Sequence, residues 1–269
     1  MTMKPFTQDN LDALRERSPL VHNITNFVVM NVTANILLAV GASPVMAHSP
    51  DEVSDMARLS DALVLNIGTL EENWVSAMIT AGRAANDKGI PVILDPVGSG
   101  ATAYRTRSVR RILDACRVSV LRGNASEVLS LSDLAVITKG VDSSLGLSDE
   151  GVEVCREMAA RLDLVVAVSG EEDCITDGRR IFRVKNGHPM MARVTGLGCG
   201  LSSMVGAFCA VRPDDIVTAT AAAFGFYGLC GEMASRLSKG PGSFEAAFLD
   251  TLYLTGADEV HARLKIIEA

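Results

Sequence analysis

What most constrains this chain is a recurring unit. A short β-branched run is closed by glycine or polar residues and then followed by a longer stretch of helical pattern. Alternation of that kind predicts a largely parallel sheet with helices on both faces, because parallel strands need crossovers and the crossovers cover the sheet. Strands are expected at 44–47, 62–66, 91–94, 118–121, 135–138 and 164–168. The closing segments are Leu65-Asn66-Ile67-Gly68, Leu94-Asp95-Pro96-Val97-Gly98-Ser99-Gly100, Leu121-Arg122-Gly123-Asn124-Ala125-Ser126-Glu127 and Val168-Ser169-Gly170-Glu171. In open α/β sheets the carboxyl edge is where ligands bind. The plainer reading, that glycines and acids make good βα turns, weakens when four such turns carry polar groups.

Between the strands, Ser49-Pro50-Asp51-Glu52 reads as a capping box that opens a helix running to about Leu59. A second helix is expected over 71–88, stopping at Gly89, and helices dominate after Gly198, including 213–236 and 243–267. With no low-complexity linker, no break in composition and no repeat, a single domain over 1–269 is the simplest organisation.

Charge and composition exclude some classes of function. A net charge of −7 and only 4% aromatic residues leave neither a basic surface for phosphates nor stacking platforms for bases, so no nucleic-acid partner is expected. The uncharged segment 18–50 and the apolar run 216–231 resemble membrane spans. Asparagines and Pro44 interrupt the first, and the second is short and rich in threonine and glycine. Both are read as buried helices, with no membrane partner. Six cysteines lie far apart with no C-x-x-C pair or zinc spacing, and the N-terminus lacks the apolar segment of a secretory signal. Reduced thiols and a cytoplasmic location follow as expectations.

Several residues could carry chemistry. Asp95 and Glu127 end or closely follow apolar strands, as two hard oxygen ligands for magnesium would. The competing readings are a turn former before Pro96 and a first-turn helix residue. Arg122, directly after Val118-Ser119-Val120-Leu121, meets either a phosphate or a structural carboxylate. Asn23, Asn26 and Met46 fall in a charge-free segment suited to a neutral, partly apolar small molecule, or to a core helix. His22 has no metal-spaced partner and reads as hydrogen-bonded structure. Near the C-terminal third, Val194-Thr195-Gly196-Leu197-Gly198-Cys199-Gly200-Leu201-Ser202-Ser203 sets a cysteine among glycines at the mouth of an apolar helix, where amides are free to bind an anion. It matches neither dinucleotide nor P-loop spacing.

Taken in order, Pro19–Asn26, Gly41–Met46, Leu94–Gly98, Arg122–Glu127 and Val194–Cys199 resemble the hydroxyethylthiazole kinases of the ribokinase-like superfamily, over most of the chain. Leu197 stands where that pattern usually has threonine or alanine. The resemblance implies a ribokinase-like α/β fold and an ATP- and Mg2+-dependent phosphorylation of 4-methyl-5-(2-hydroxyethyl)thiazole in thiamine salvage. By position, Arg122 and Ser169 would contact ATP, while Asp95 and Glu127 would organise the metal. Asn26, Met46, Gly68 and Gly196 would line the thiazole pocket, and Gly196, Gly198 and Gly200 would form the anion hole. A homotrimer with active sites near subunit interfaces is also implied.

Most members of the superfamily carry an aspartate where Cys199 stands, so the resemblance makes Cys199 the catalytic candidate. A helix N-terminus lowers a thiol pKa toward about 3.5–7.5, which would supply some thiolate at neutral pH. Cys199 then orients the substrate hydroxyl and accepts its proton, or it only packs. Three other functions stay open at this point: a kinase of another vitamin precursor such as a hydroxymethylpyrimidine, a non-catalytic thiazole or nucleotide binder, and a dehydratase of damaged nicotinamide cofactors.

Overall fold

The structure, a computed structural model, describes residues 2–132 and 147–269. Its strands are β1 (Leu20–Ile24), β2 (Ser43–Val45), β3 (Ala62–Asn66), β4 (Val92–Asp95), β5 (Val120–Asn124), β6 (Val165–Ser169), β7 (Asp173–Thr176), β8 (Ile181–Val184) and β9 (Ile266–Glu268). Helices α1 (Met3–Arg17), α2 (Met30–Val40), α3 (Val53–Leu59), α4 (Glu72–Lys88), α5 (Ala103–Ala115), α6 (Ala125–Leu129) and α7 (Asp149–Leu162) intersperse the first six strands. The last four are α8 (Leu197–Val211), α9 (Ile216–Leu237), α10 (Pro241–Leu254) and α11 (Ala257–Arg263).

The strands join in one sheet of order β2-β1-β3-β4-β5-β6-β7-β8-β9, parallel through β6 and antiparallel beyond it. Period-two alternation assigns side chains to the two faces. Val64 and Ile93 join a core with Ile36, Met204, Phe208, Phe224 and Phe248 from α2, α8, α9 and α10. Leu63, Leu65, Val92 and Leu94 join another with Val75, Met78, Ile112 and Met158 from α4, α5 and α7. Both faces of the central strands are therefore dry, which explains why β3 reads as one unbroken apolar run. From β1 the chain steps outward to β2 and returns on the other side to β3, so the topological switch point lies between β1 and β3. Crevices for ligands open at the carboxyl edge of such a point.

The expected strands at 44–47, 62–66, 91–94, 118–121 and 164–168 all correspond to observed ones, shifted by up to three residues at an end. The expected strand 135–138 lies outside the described residues. Helix α4 stops as expected at Gly89, whose φ of +81° and bond to the Ala85 carbonyl close it. Helix α9 is long and apolar enough to cross a membrane, yet 83% of its most apolar window is packed inside the protein.

Three readings are corrected. Segment 18–50 is not one buried helix but β1, α2 and β2. Its first polar residues find partners from the strand, since His22 Nε2 meets the Ala47 carbonyl at 2.6 Å and Asn23 Oδ1 accepts from Ser203 Oγ at 2.6 Å, while His22 Nδ1 is buried without a hydrogen-bond partner among the described residues. The capping box at Ser49–Glu52 does not form: Ser49 makes a turn instead, and α3 begins at Val53 with no side-chain cap. The expected helix 243–267 breaks at Thr255–Gly256 and ends in β9, which extends the antiparallel edge of the sheet.

Candidate active site

Asn66 and Asp95 close β3 and β4 in register, and both are buried. Burial of a carboxylate demands donors. Asp95 Oδ2 accepts from Asn66 Nδ2 at 2.9 Å and Ser202 Oγ at 2.7 Å, with the Arg122 guanidinium 3.9 Å away. Burial nevertheless dominates. It raises the Asp95 carboxyl to about 6 against the pull of Arg122 and Ser202, and the charge of Glu127 adds to the rise.

Asn66 also reaches across the switch point. Its Oδ1 accepts from Asn26 Nδ2 at 2.8 Å and from the Gly68 amide at 3.0 Å. Asn26 Nδ2 in turn lies 3.6 Å from Cys199 Sγ. A Cβ on Gly68 would stand 2.5 Å from Asn26 Nδ2, so only glycine lets the two loops meet.

Arg122 projects from within β5, one face buried under the Phe224 ring at 5.9 Å. Two of its nitrogens are fixed at once, Nη1 on the Gly198 carbonyl at 2.8 Å and Nη2 on Ser169 Oγ at 2.9 Å. Its Nε has no hydrogen-bond partner among the described residues. One planar fork thus ties β5, β6 and the first turn of α8 together, an arrangement that lysine could not make.

Helix α8 is preceded by its cap residue Gly196, whose φ of +88° lies in the left-handed region. The Gly200 amide donates to the Gly196 carbonyl at 2.7 Å, so it is already engaged. The amides with no carbonyl one turn below are those of Leu197, Gly198 and Cys199. Of the glycines expected in an anion hole, Gly200 therefore has its amide spent on the helix, and the first-turn amides open to an anion are those of Leu197, Gly198 and Cys199. The bulky Leu197 side chain is buried, and its carbonyl accepts from Tyr227 Oη at 2.7 Å.

The expectation of a lowered Cys199 pKa is overturned. Burial, together with the Asp95 charge, raises the thiol to about 11, and the hydrogen bonds from Asn66 and Asn26 and the charge of Arg122 offset only part of it. A half-helix of amides is a weaker influence than desolvation beside a carboxylate. The group is a neutral thiol at pH 7.

The other expected residues fall at the same edge with varied surroundings. Met46 is half-buried just past β2. Glu127 completes the capping box of α6, accepting from the Asn124 amide at 2.9 Å, and its other oxygen accepts from the Gly98 amide at 2.8 Å. Asn23 turns into the core toward Ser203 and away from the crevice. His22 is structural, and burial lowers its pKa.

Sequence reasoning missed four contributors. Asn66 was read only as a strand closer, and Ser202 was hidden in an apolar helix; a hydroxyl pair, Ser202-Ser203, in an otherwise apolar run was the available signal. Arg105 clamps two of the loops, donating to the carbonyls of Ile67 at 2.9 Å, Val97 at 2.7 Å and Gly68 at 2.8 Å. Asp173, at the start of β7, accepts from the Gly170 amide at 3.0 Å, and burial raises it to about 7.

Among the described residues no group of three or more His, Cys, Asp or Glu side chains forms a metal cage. Asp95 and Glu127 retain lone pairs after their internal hydrogen bonds, which fits a hydrated cation carried by a ligand's phosphates rather than one enclosed by protein. A buried guanidinium, free first-turn amides and two carboxylates around one crevice suit phosphoryl chemistry.

Comparison with known proteins agrees with that chemistry. The model of the hydroxyethylthiazole kinase family matches residues 11–257. A hydroxyethylthiazole kinase of Desulfotalea psychrophila is 52% identical over 261 residues, covering 97% of this chain and 95% of the relative. The solved structure of the hydroxyethylthiazole kinase from Pyrococcus horikoshii OT3 superposes with a TM-score of 0.90 at 43% identity, covering 98% and 99% of the two chains. A ribokinase-like superfamily protein from Enterococcus faecalis V583 shares the fold alone, with a TM-score of 0.62 at 13% identity over 90% and 93%.

Proposed function

The chain belongs to the hydroxyethylthiazole kinase family and has its ribokinase-like fold, and from that premise we propose how its own residues carry out the phosphorylation of hydroxyethylthiazole. The observation that carries the reading is Arg122, a buried guanidinium fixed between Ser169 and the first turn of α8 with one nitrogen unspent. A fixed cation beside free amides stabilises charge on a transferring phosphoryl without reorganising in the transition state.

Arg122 and Ser169 contact ATP, the co-substrate of a kinase. The amides of Leu197, Gly198 and Cys199 receive the transferring group. Asn26, Met46, Gly68 and Gly196 line the thiazole pocket, where an uncharged, partly apolar wall suits the ring. Asp95 and Glu127 would hold Mg2+, which when bound would neutralise charge on the phosphates.

Cys199 acts in this reading as a neutral group. With Asn26 Nδ2 3.6 Å from its sulfur, the thiol holds the substrate hydroxyl in line without removing its proton beforehand; the proton leaves as the O–P bond forms, to a phosphoryl oxygen and then to water. The transition state is loose, so little charge develops on the attacking oxygen before the O–P bond has begun to form. Positioning then matters more than basicity.

We also propose a homotrimer. Phe27 and Val28, 59% and 66% exposed, stand next to the crevice residue Asn26. Val28 continues into a groove with Val32, Arg193, Thr195 and Pro241. Six free cysteines accord with a reducing, cytoplasmic setting. The product belongs to thiamine salvage.

The test is ADP release from ATP and Mg2+ with and without 4-methyl-5-(2-hydroxyethyl)thiazole, with the ester identified by 31P NMR. Thiazole-dependent release with ester formation is expected. ADP release that is indifferent to the thiazole, or ester formed only from a pyrimidine alcohol, overturns the substrate reading.

A further inference from the structure

We propose that Asn66 is a positioning residue of phosphoryl transfer, holding the carboxylate, the thiol and the thiazole wall in one register. The inference deepens the proposed kinase reading and rests on it. Asn66 is 1% exposed and uses both ends of its amide. Two donors, Asn26 Nδ2 and the Gly68 amide, converge on Oδ1. That fixes Nδ2 on Asp95 Oδ2 at 2.9 Å.

The two amides together form a chain of contacts from Asp95 through Asn66 and Asn26 to Cys199. Asn66 thus reaches the Cys199 sulfur through Asn26, whose Nδ2 it holds at 2.8 Å. Asn26 Nδ2 faces the sulfur, so a shift of Asn26 changes the surroundings that the S–H bond senses. The place calls for an acceptor and a donor on one short side chain. An aspartate would set a second carboxylate against Asp95, and an aliphatic side chain would leave Asp95, Asn26 and Gly68 each short of a partner. Among the described residues Arg122 and Ser169 make no hydrogen bond to Asn66; its one link to the phosphate side runs through Asp95, which keeps Ser202 Oγ as a donor and Arg122 as a cation when Asn66 is lost, so the effect of losing it falls mainly on the acceptor side.

The experiment compares wild type with Asn66→Ala and Asn66→Asp by steady-state kinetics and by the infrared S–H band of Cys199, identified by subtracting Cys199→Ser. Loss of kcat of about 10²-fold is expected from misplacing the acceptor. The KM for the thiazole should rise several-fold, the KM for ATP should stay within about twofold, and a larger share of ATP should be spent on water rather than ester. The partition between ester and hydrolysis is independent of the fraction of folded enzyme, so a variant that is merely less stable would keep the wild-type ratio. That ratio, or an ATP KM that rises as much as the thiazole KM, overturns the positioning role. The band is read on protein without substrate. Unmoved in Asn66→Ala, it overturns the link to Cys199. Moved, while wild type makes no ester, it upholds the link and overturns the kinase reading instead.

Discussion

The two edges of the sheet both gather charged side chains and treat them in opposite ways. At the amino edge a cavity of about 560 Å³ is lined by Arg117, Asp163, Asp177, Arg180, Asp214 and Asp215. There Arg180 pairs with Asp215 at 2.9 Å and Asp177 at 3.1 Å while remaining 41% exposed. Burial works to raise Asp215, but its bonds to Arg180 and Thr218 outweigh it and hold the carboxyl below its usual range. At the carboxyl edge Arg122 is only 8% exposed, and burial wins over every partner of Asp95 and Asp173. Size and charge alone therefore do not identify a site. Ionic groups held in less water than they would choose point to one more strongly, because such groups cluster where chemistry uses them.

The sharpest way to break the contrast is Arg122→Ala. It removes the fork that joins β5, β6 and α8 and leaves Asp95 without its cation, so kcat/KM for ester formation should fall about 10³-fold, in the range of other transition-state cations. Arg122→Lys should recover little, since a point charge cannot occupy the Gly198 carbonyl and Ser169 Oγ together. Thiazole-dependent ADP release measures both. Near-normal turnover in the lysine variant would mean that charge, rather than the fork, is what the site requires.

A middle-sized effect is expected on stability against pH. Asp173 has a folded pKa of about 7 against an ordinary 3.8, so the folded protein holds a proton that the unfolded chain releases. That stabilisation is complete below the unfolded pKa and is lost as pH rises through about 7. Asp173→Asn keeps an acceptor for the Gly170 amide and removes the titration. The variant should therefore gain stability over wild type by about 2 kcal/mol more at pH 8 than at pH 5. Thermal melts at the two pH values give the answer, and an equal gain at both would place Asp173 in the same class as the amino-edge acids.

This contrast was only half legible in the sequence. Strand β3 was read to the residue because both its faces are buried and Asn66 ends the apolar run. Asp95, Arg122 and Cys199 each interrupt an apolar or glycine-rich segment, and position alone made them candidates. By contrast β1 was hidden, since His22 and Asn23 break its apolar pattern and their partners, Ala47 and Ser203, lie 25 and 180 residues away. The short antiparallel strands β7 to β9 have too few residues each to show a period. The state of Cys199 was also beyond reach. Its local sequence predicts an acidified thiol, and only the fold brings Asp95 close enough and buries the sulfur deeply enough to reverse the sign.

The smallest effect is predicted at the amino edge, where it tests the comparison from its other side. Among the described residues Arg180 makes two ion pairs to the one that Arg122 makes and lines a cavity of about 560 Å³, so a view based on cavities and charge would rank it first. Its pairs, however, are solvated, and such pairs contribute about 0.2–1 kcal/mol when measured by double-mutant cycles. Arg180→Ala, Asp215→Ala and the double variant should yield a coupling energy within that range in low salt, shrinking as salt screens it. Ester formation should match wild type in all three, since the first turn of α8 and the crevice lie at the opposite ends of the strands. A coupling well above 1 kcal/mol, or a fall in turnover, would show that the amino edge also holds its charges under strain, and burial would lose its power to tell the two edges apart.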